Sequence, residues 1–179
     1  MFDLPVKPCF CLLADMIKIM KRIKLSSRLQ ALADHIDENA SVADIGTDHG
    51  YLPVYLAQTD TVKSIAASDI SSSSLESARR SAAEYNVTDK IKFINAPGLD
   101  GISPNEADTI VIAGMGGETI IGILKDAGRL KHHGIKLILQ PQTKLDLLSR
   151  FLYDDGYKIA DIIRLQDKGK NYVIIIVKS

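Results

Sequence analysis

A chain of 179 residues accommodates one domain of ordinary size and leaves little room for a second. Its 46% hydrophobic residues can fill a core, which excludes global disorder, and 22 basic residues against 22 acidic ones leave no net charge to argue for nucleic-acid binding. No apolar run approaches the roughly 18 residues of a membrane span, so no membrane partner is expected.

Residues 1–23 share no pattern with the rest of the chain and read as an N-terminal extension or disordered tail, with Met16 and Met20 as candidate starts; residues 24–179 are the expected domain. The stretch 9–14 is apolar, but Asp3 precedes it and basic residues of 18–24 come after it. That charge order is the reverse of a secretion signal, so the chain is placed in the cytoplasm. Cys9 and Cys11 lack the further ligands of a zinc site, and no metal is expected. Lys18, Lys21, Arg22, Lys24 and Arg28 stand without an acid between Asp15 and Asp34, either as a stripe that tracks phosphates or as a solvated helix face.

Order is expected from Leu25, where Ser26 and Ser27 are N-cap types and Leu29, Leu32, Ala33 and Ile36 recur at helical spacing. Strand and helix then alternate. Strands are predicted at 41–45, 63–68, 90–94, 108–113 and 135–139, and helices at 51–57, from the serine run 71–74 to about 85, from after Gly117 to about 127, and at 143–153. The tail changes character: 157–165 and 172–177 are both strand-like, and the short polar segment between them makes an antiparallel hairpin. Five βα units and a hairpin make a mostly parallel α/β sheet of about seven strands, the methyltransferase arrangement rather than the all-parallel dehydrogenase one.

In such a sheet the ligand lies at the carboxyl ends of the strands. The first loop there reads Asp44-Ile45-Gly46-Thr47-Asp48-His49-Gly50 and lacks the Gly-x-Gly-x-x-Gly spacing, because Asp48 stands where a dinucleotide pyrophosphate needs bare backbone. Charge separates the cofactors. A carboxylate about 4 Å from a unit charge is worth about 4 kcal/mol at an effective dielectric near 20, repelling pyrophosphate and attracting the sulfonium and ammonium of S-adenosylmethionine. Asp69 closes the second strand, where an acid can accept both ribose hydroxyls of an adenosine.

Four segments in order carry a resemblance: Lys24-Leu25-Ser26-Ser27-Arg28-Leu29, Val42 through Pro53 around the first loop, Ile112-Ala113-Gly114-Met115-Gly116-Gly117, and Leu137-Ile138-Leu139-Gln140-Pro141. From about Lys24 onward the chain resembles the bacterial tRNA (adenine-22-N1)-methyltransferase family. The resemblance implies a Rossmann-like class I methyltransferase fold, S-adenosyl-L-methionine as cofactor, tRNA as partner, and N1 of an adenine, at nucleotide 22, as acceptor. It places Asp44, Gly46, Thr47, Asp48, Gly50, Asp69, Ile70, Gly98, Asp100, Ala113, Gly114 and Met115 at the cofactor, and Arg28, Gly116, Gly117, Gln140 and Pro141 at the substrate. The family's Gly-Asp-Gly-Leu element reads Ala96-Pro97-Gly98-Leu99-Asp100 here, so its carboxylate is lost at Pro97 or displaced to Asp100. The family's C-terminal coiled coil is not expected in a chain that stops at Ser179. A small-molecule acceptor and a non-catalytic binding remnant are therefore the alternatives.

Adenine N1 already has a lone pair, so the chemistry asks for placement more than for a base. Asp48 is the candidate to accept a hydrogen bond from the exocyclic amine as the ring turns cationic; alternatively it binds the cofactor's amino group. His49 could orient the same region or satisfy backbone groups. The glycines of 114–117 let a flat base approach the backbone, or form a plain helix-entry turn. An Asn/Asp-Pro-Pro-aromatic element is absent there, which argues against methylation of an exocyclic amine. Gln140 and Gln142 either read a flipped base or cap a strand in solvent. Tyr51 and Tyr55 suggest stacking platforms, with core packing the better expectation for Tyr55.

Overall fold

A computed structural model describes residues 21–103, 105–126 and 134–178. Most of the expected N-terminal extension, with Cys9, Cys11 and Lys18, lies outside the described residues. The first helix, α1 (Ser27–Ala33), is capped by Ser26, whose hydroxyl accepts from the backbone N–H of Leu29. Removing that acceptor in Ser26→Ala should cost about 1 kcal/mol, read as a lower urea midpoint; an unmoved midpoint means the cap is idle.

The chain then runs β1 (Ser41–Ile45), α2 (Tyr51–Thr59), β2 (Ser64–Asp69), α3 (Ser72–Glu84), a 3-10 turn (Thr88–Lys90) and β3 (Lys92–Asn95). It continues with β4 (Thr109–Gly116), α4 (Gly117–Asp126), β5 (Lys136–Thr143), α5 (Leu145–Asp154), β6 (Lys158–Asp167) and β7 (Lys170–Lys178). Seven strands form one sheet in the order β3-β2-β1-β4-β5-β7-β6. β7 is antiparallel to both neighbours and the other pairings are parallel, as the sequence pattern predicts. The order reverses between β1 and β4, which puts the switch point beside the first loop.

Apolar clusters cover both faces of the sheet. Ile110, Ile112, Leu139 and Ile175 pack with Ile120, Leu148 and Leu152 on one face, while Val42, Val111, Ile138 and Ile174 pack with Leu32, Leu52 and Val54 on the other. Alternate residues of β7 serve opposite faces, so Ile174 to Val177 is an unbroken apolar run although the strand alternates geometrically. Burying each such side chain contributes about 1.5–3 kcal/mol.

The largest departures from the predicted strand ends are in β4 and β5. β4 continues through Gly114-Met115-Gly116 by bulging between Ala113 and Met115 and again before Gly116. The glycine segment expected as a loop is thus strand. β5 continues across Gln140-Pro141 because β7 has already left it at Leu139. Beyond that point β5 has a neighbour on one side only, and a proline without an N–H is tolerated. The hairpin closes through Lys168 and Gly169, whose φ values of 47° and 76° are both positive, the two-residue turn that matches strand twist.

Candidate active site

The loop leaving β1 is pinned to the end of β2: the N–H groups of Gly46 and Thr47 both donate to the Ser68 carbonyl, at 2.8 and 3.0 Å. Gly46 has φ +71°, and a Cβ there would stand 2.1 Å from the Met115 methyl, so β4 approaches bare backbone. The Gly50 N–H donates to Thr47 O at 2.9 Å and closes the turn. A Cβ on Gly50 would meet the Ala78 Cβ at 2.8 Å, which is how α2 and α3 come together beneath the loop.

This fold buries two carboxylates side by side. Asp44 is 7% exposed and accepts from Thr47 Oγ1 at 2.7 Å. Burial pushes its carboxyl up to about 6, the Thr47 hydroxyl opposes the rise, the neighbouring Asp69 charge adds to it and Arg28 opposes it. Asp69 accepts from the backbone N–H of Asp48 on Oδ2 and from that of Ser71, the α3 cap, on Oδ1. Each Asp69 oxygen keeps a lone pair for a ligand hydroxyl. Among the described residues no ion pair joins either carboxylate to Lys or Arg. A buried pair of acids that Arg28 offsets only through space, with no ion pair, fits a cationic ligand and opposes a diphosphate.

Asn95, which no motif of the sequence singles out, donates its amide to the carbonyls of Asp69 and Ile70 and so fixes the end of β2. Only the types of strand-end residue could have signalled it. Ile70 is 73% exposed, an apolar side chain standing free beside Asp69. Further along, Asp100 is exposed, and its N–H donates to Pro97 O in a turn that holds Gly98 against Ile123.

The opposite wall of the first loop is β4. A hollow of about 400 Å³ is lined by Asp44, Gly46, Thr47 and Asp48 on one side and by Ala113, Gly114, Met115 and Gln142 on the other, with Arg28, His49 and Tyr51 at its rim. Asp48, at φ 52°, lines the hollow with a largely exposed side chain, 3.8 Å from His49 Nε2. Arg28 donates to Gln140 Oε1 at 2.9 Å and lies over the Tyr172 ring at 5.7 Å. Gln140 is fully buried and its amide also donates to Pro141 O, so it holds Arg28 and neither reads a base nor caps a strand in solvent. Gln142 is exposed at the hollow. Gly116 and Pro141 belong to the paired ends of β4 and β5, and Gly117 backs onto the Thr143–Lys144 backbone. Of the basic stripe, Lys21 pairs with Glu84 and Arg28 turns to the hollow.

A larger hollow of about 480 Å³, lined by Leu56, Lys63, Ser64 and Lys90, lies at the amino ends of β2 and β3. That is the wrong end of a doubly wound sheet for the ligand. Among the described residues no helix is long and apolar enough to cross a membrane, and no group of three or more His, Cys, Asp or Glu could hold a metal ion.

Comparison with known proteins agrees with this geometry. Residues 25–175 match the methyltransferase domain family. The chain is 37% identical over 161 residues to the tRNA (adenine(22)-N(1))-methyltransferase of Bacillus subtilis, covering 89% of this chain and 67% of that protein. The crystal structure of the B. subtilis M1A22 tRNA methyltransferase superposes with a TM-score of 0.83 at 34% identity, covering 88% of this chain and 68% of the other. Sp1610 of Streptococcus pneumoniae in complex with S-adenosyl-L-methionine superposes with a TM-score of 0.82 at 32% identity, covering 87% and 73%. The chain thus spans about two thirds of the length of the B. subtilis protein.

Proposed function

Because the chain belongs to the tRNA (adenine-22-N1)-methyltransferase family of S-adenosylmethionine-dependent methyltransferases, we propose that it methylates N1 of an adenine in tRNA, at nucleotide 22. The observation that carries this reading is the buried acidic pair Asp44 and Asp69, which no ion pair joins to Lys or Arg among the described residues, at the switch point of the sheet. Residues 24–179 act as the catalytic domain, in the cytoplasm.

S-adenosylmethionine, when bound, supplies a methyl group on an electron-poor sulfonium. Asp44 holds positive charge beside Gly46, Thr47 and Gly50, and Asp69 receives the ribose hydroxyls with Ile70 beside it. Gly98 and Asp100 border the adenine end, and the backbone of Ala113, Gly114 and Met115 forms the facing wall. Arg28, Gly116, Gly117, Gln140 and Pro141 shape the tRNA side, Gln140 and Gly117 by holding their neighbours in place.

The acceptor N1 has its lone pair free at neutral pH, so the residues must place the base and keep water out. The methylated ring is cationic until its exocyclic amine releases a proton. Asp48 accepts a hydrogen bond from that amine, and His49, next to the Asp48 carboxylate, orients the same edge. Because Asp48 is exposed and screened, Asp48→Ala should lower kcat about tenfold and leave cofactor affinity unchanged. Equal turnover would remove it from the mechanism.

The test of the reaction is transfer of a radiolabelled methyl group to unmodified tRNA, beside a transcript carrying guanine at the target position. Label in the first alone is expected. Equal label in both overturns the assignment of the acceptor.

A further inference from the structure

We propose that the stacked rings of His49 and Tyr51 form the seat for an unpaired purine base of the RNA; this deepens the methyltransferase reading and rests on it. Tyr51 is the first residue of α2 and Tyr55 comes one turn later, yet the two have opposite surroundings. Tyr55 packs against the apolar cluster under α2, and its hydroxyl accepts from Gln30. Tyr51 belongs to neither cluster and is 45% exposed. Its ring lies instead on the His49 imidazole, with centroids 5.4 Å apart and planes 17° from parallel.

An exposed aromatic pair at a cavity rim contributes little to the core and offers a flat apolar surface to a ligand. Such a surface takes a nucleobase because every base has a π-face. Both residues of the stack are about half exposed, so an outer ring face remains on which a purine can lie. The polar groups around the hollow fit a base with both an amine and ring acceptors. Asp48 is an acceptor beside His49, at 3.8 Å from its Nε2. Across the hollow, Arg28 Nη1 and Gln142 Nε2 are donors, 3.8 and 3.7 Å from the point where a Cβ of residue 114 would stand. Gly114 leaves that point open, so a base edge can slide between the two donors.

The test uses the full chain with S-adenosylhomocysteine and an RNA stem-loop containing one unpaired adenine. Ring-proton resonances of His49 and Tyr51 should move upfield on titration and stay in place with an abasic stem-loop. In kinetics, Tyr51→Leu should lower kcat/KM for tRNA about tenfold, Tyr51→Phe should keep it within about twofold, and neither should change cofactor affinity or melting temperature. Equal activity of the leucine and phenylalanine variants, or rings that do not respond while wild-type chain methylates tRNA, overturns the seat alone. A wild-type chain that methylates no tRNA overturns the parent reading and the seat with it.

Discussion

Asp44→Asn weakens S-adenosylmethionine binding by about 100-fold and leaves the fold at least as stable. Asparagine keeps the shape and can still accept from the Thr47 hydroxyl, so only the charge is lost. The attraction removed is about 4 kcal/mol at about 4 Å and an effective dielectric near 20. Some of it is offset because the neutral side chain is cheaper to bury, leaving about 3 kcal/mol, or about 100-fold. The same reasoning sets the pH dependence. The Asp44 carboxyl rises from its ordinary 3.8 to about 6 on folding, because burial disfavours its charge. Stability from this group is therefore fully present below about pH 3.8 and is lost as pH rises through about 6, a difference of about 3 kcal/mol. Cofactor binding runs the other way, since it needs the carboxylate, and should fall about tenfold between pH 7 and pH 5. Calorimetry on wild type and Asp44→Asn at both pH values decides the matter. A flat affinity profile in the wild type would remove Asp44 from the cofactor.

Gly117→Ala should lower the melting temperature by about 6–12 °C, as expected for about 3 kcal/mol in a domain of this size. A Cβ on Gly117 would stand 2.6 Å from Lys144 O and 2.9 Å from Thr143 O. Both are backbone atoms at the end of β5, and Lys144 already sits at φ 57°, so neither can yield cheaply. Relief requires α4 to part from the β5–α5 turn, which also opens the end of the β4–β5 ladder at Gly116 and Thr143. Gly122, in the same helix, is the control. Nothing lies within 4 Å of its Cβ position, so Gly122→Ala should raise stability by about 0.5–1 kcal/mol. Two glycines in one helix thus predict opposite signs, and thermal unfolding of both variants compares them directly.

The order of strands and helices was readable because local patterns agreed with tertiary placement. Strand 41–45 coincides with β1, and the serine run opened α3 where an N-cap was expected, with Ser71 as the cap. The hairpin was legible from two apolar runs separated by turn residues. The far ends of β4 and β5 were illegible because glycine and proline signal loops locally. Only the bulges, and the departure of β7 from β5, allow them to remain in the sheet. In the site, the acidic character of the first loop was visible, but its division was not. Asp44 and Asp69 end up buried because they lie in the central strands β1 and β2, whereas Asp48 stands in the loop at positive φ with its side chain exposed. Sequence also could not show that Gln140 serves Arg28, since that bond joins residues with no local relation.

Arg28 meets Gln140 across 112 positions and donates its backbone N–H to Asp167 across 139. On a ribosome adding about 5–20 residues per second, α1 therefore waits on the order of ten seconds for the strands it will rest upon. Until then the Arg28 guanidinium at the rim of the hollow lacks its acceptor, Gln140, and a half-made chain has no finished pocket to occupy. Tethering by long-range contacts of this kind slows maturation, since loop closure must precede the bonds that reward it.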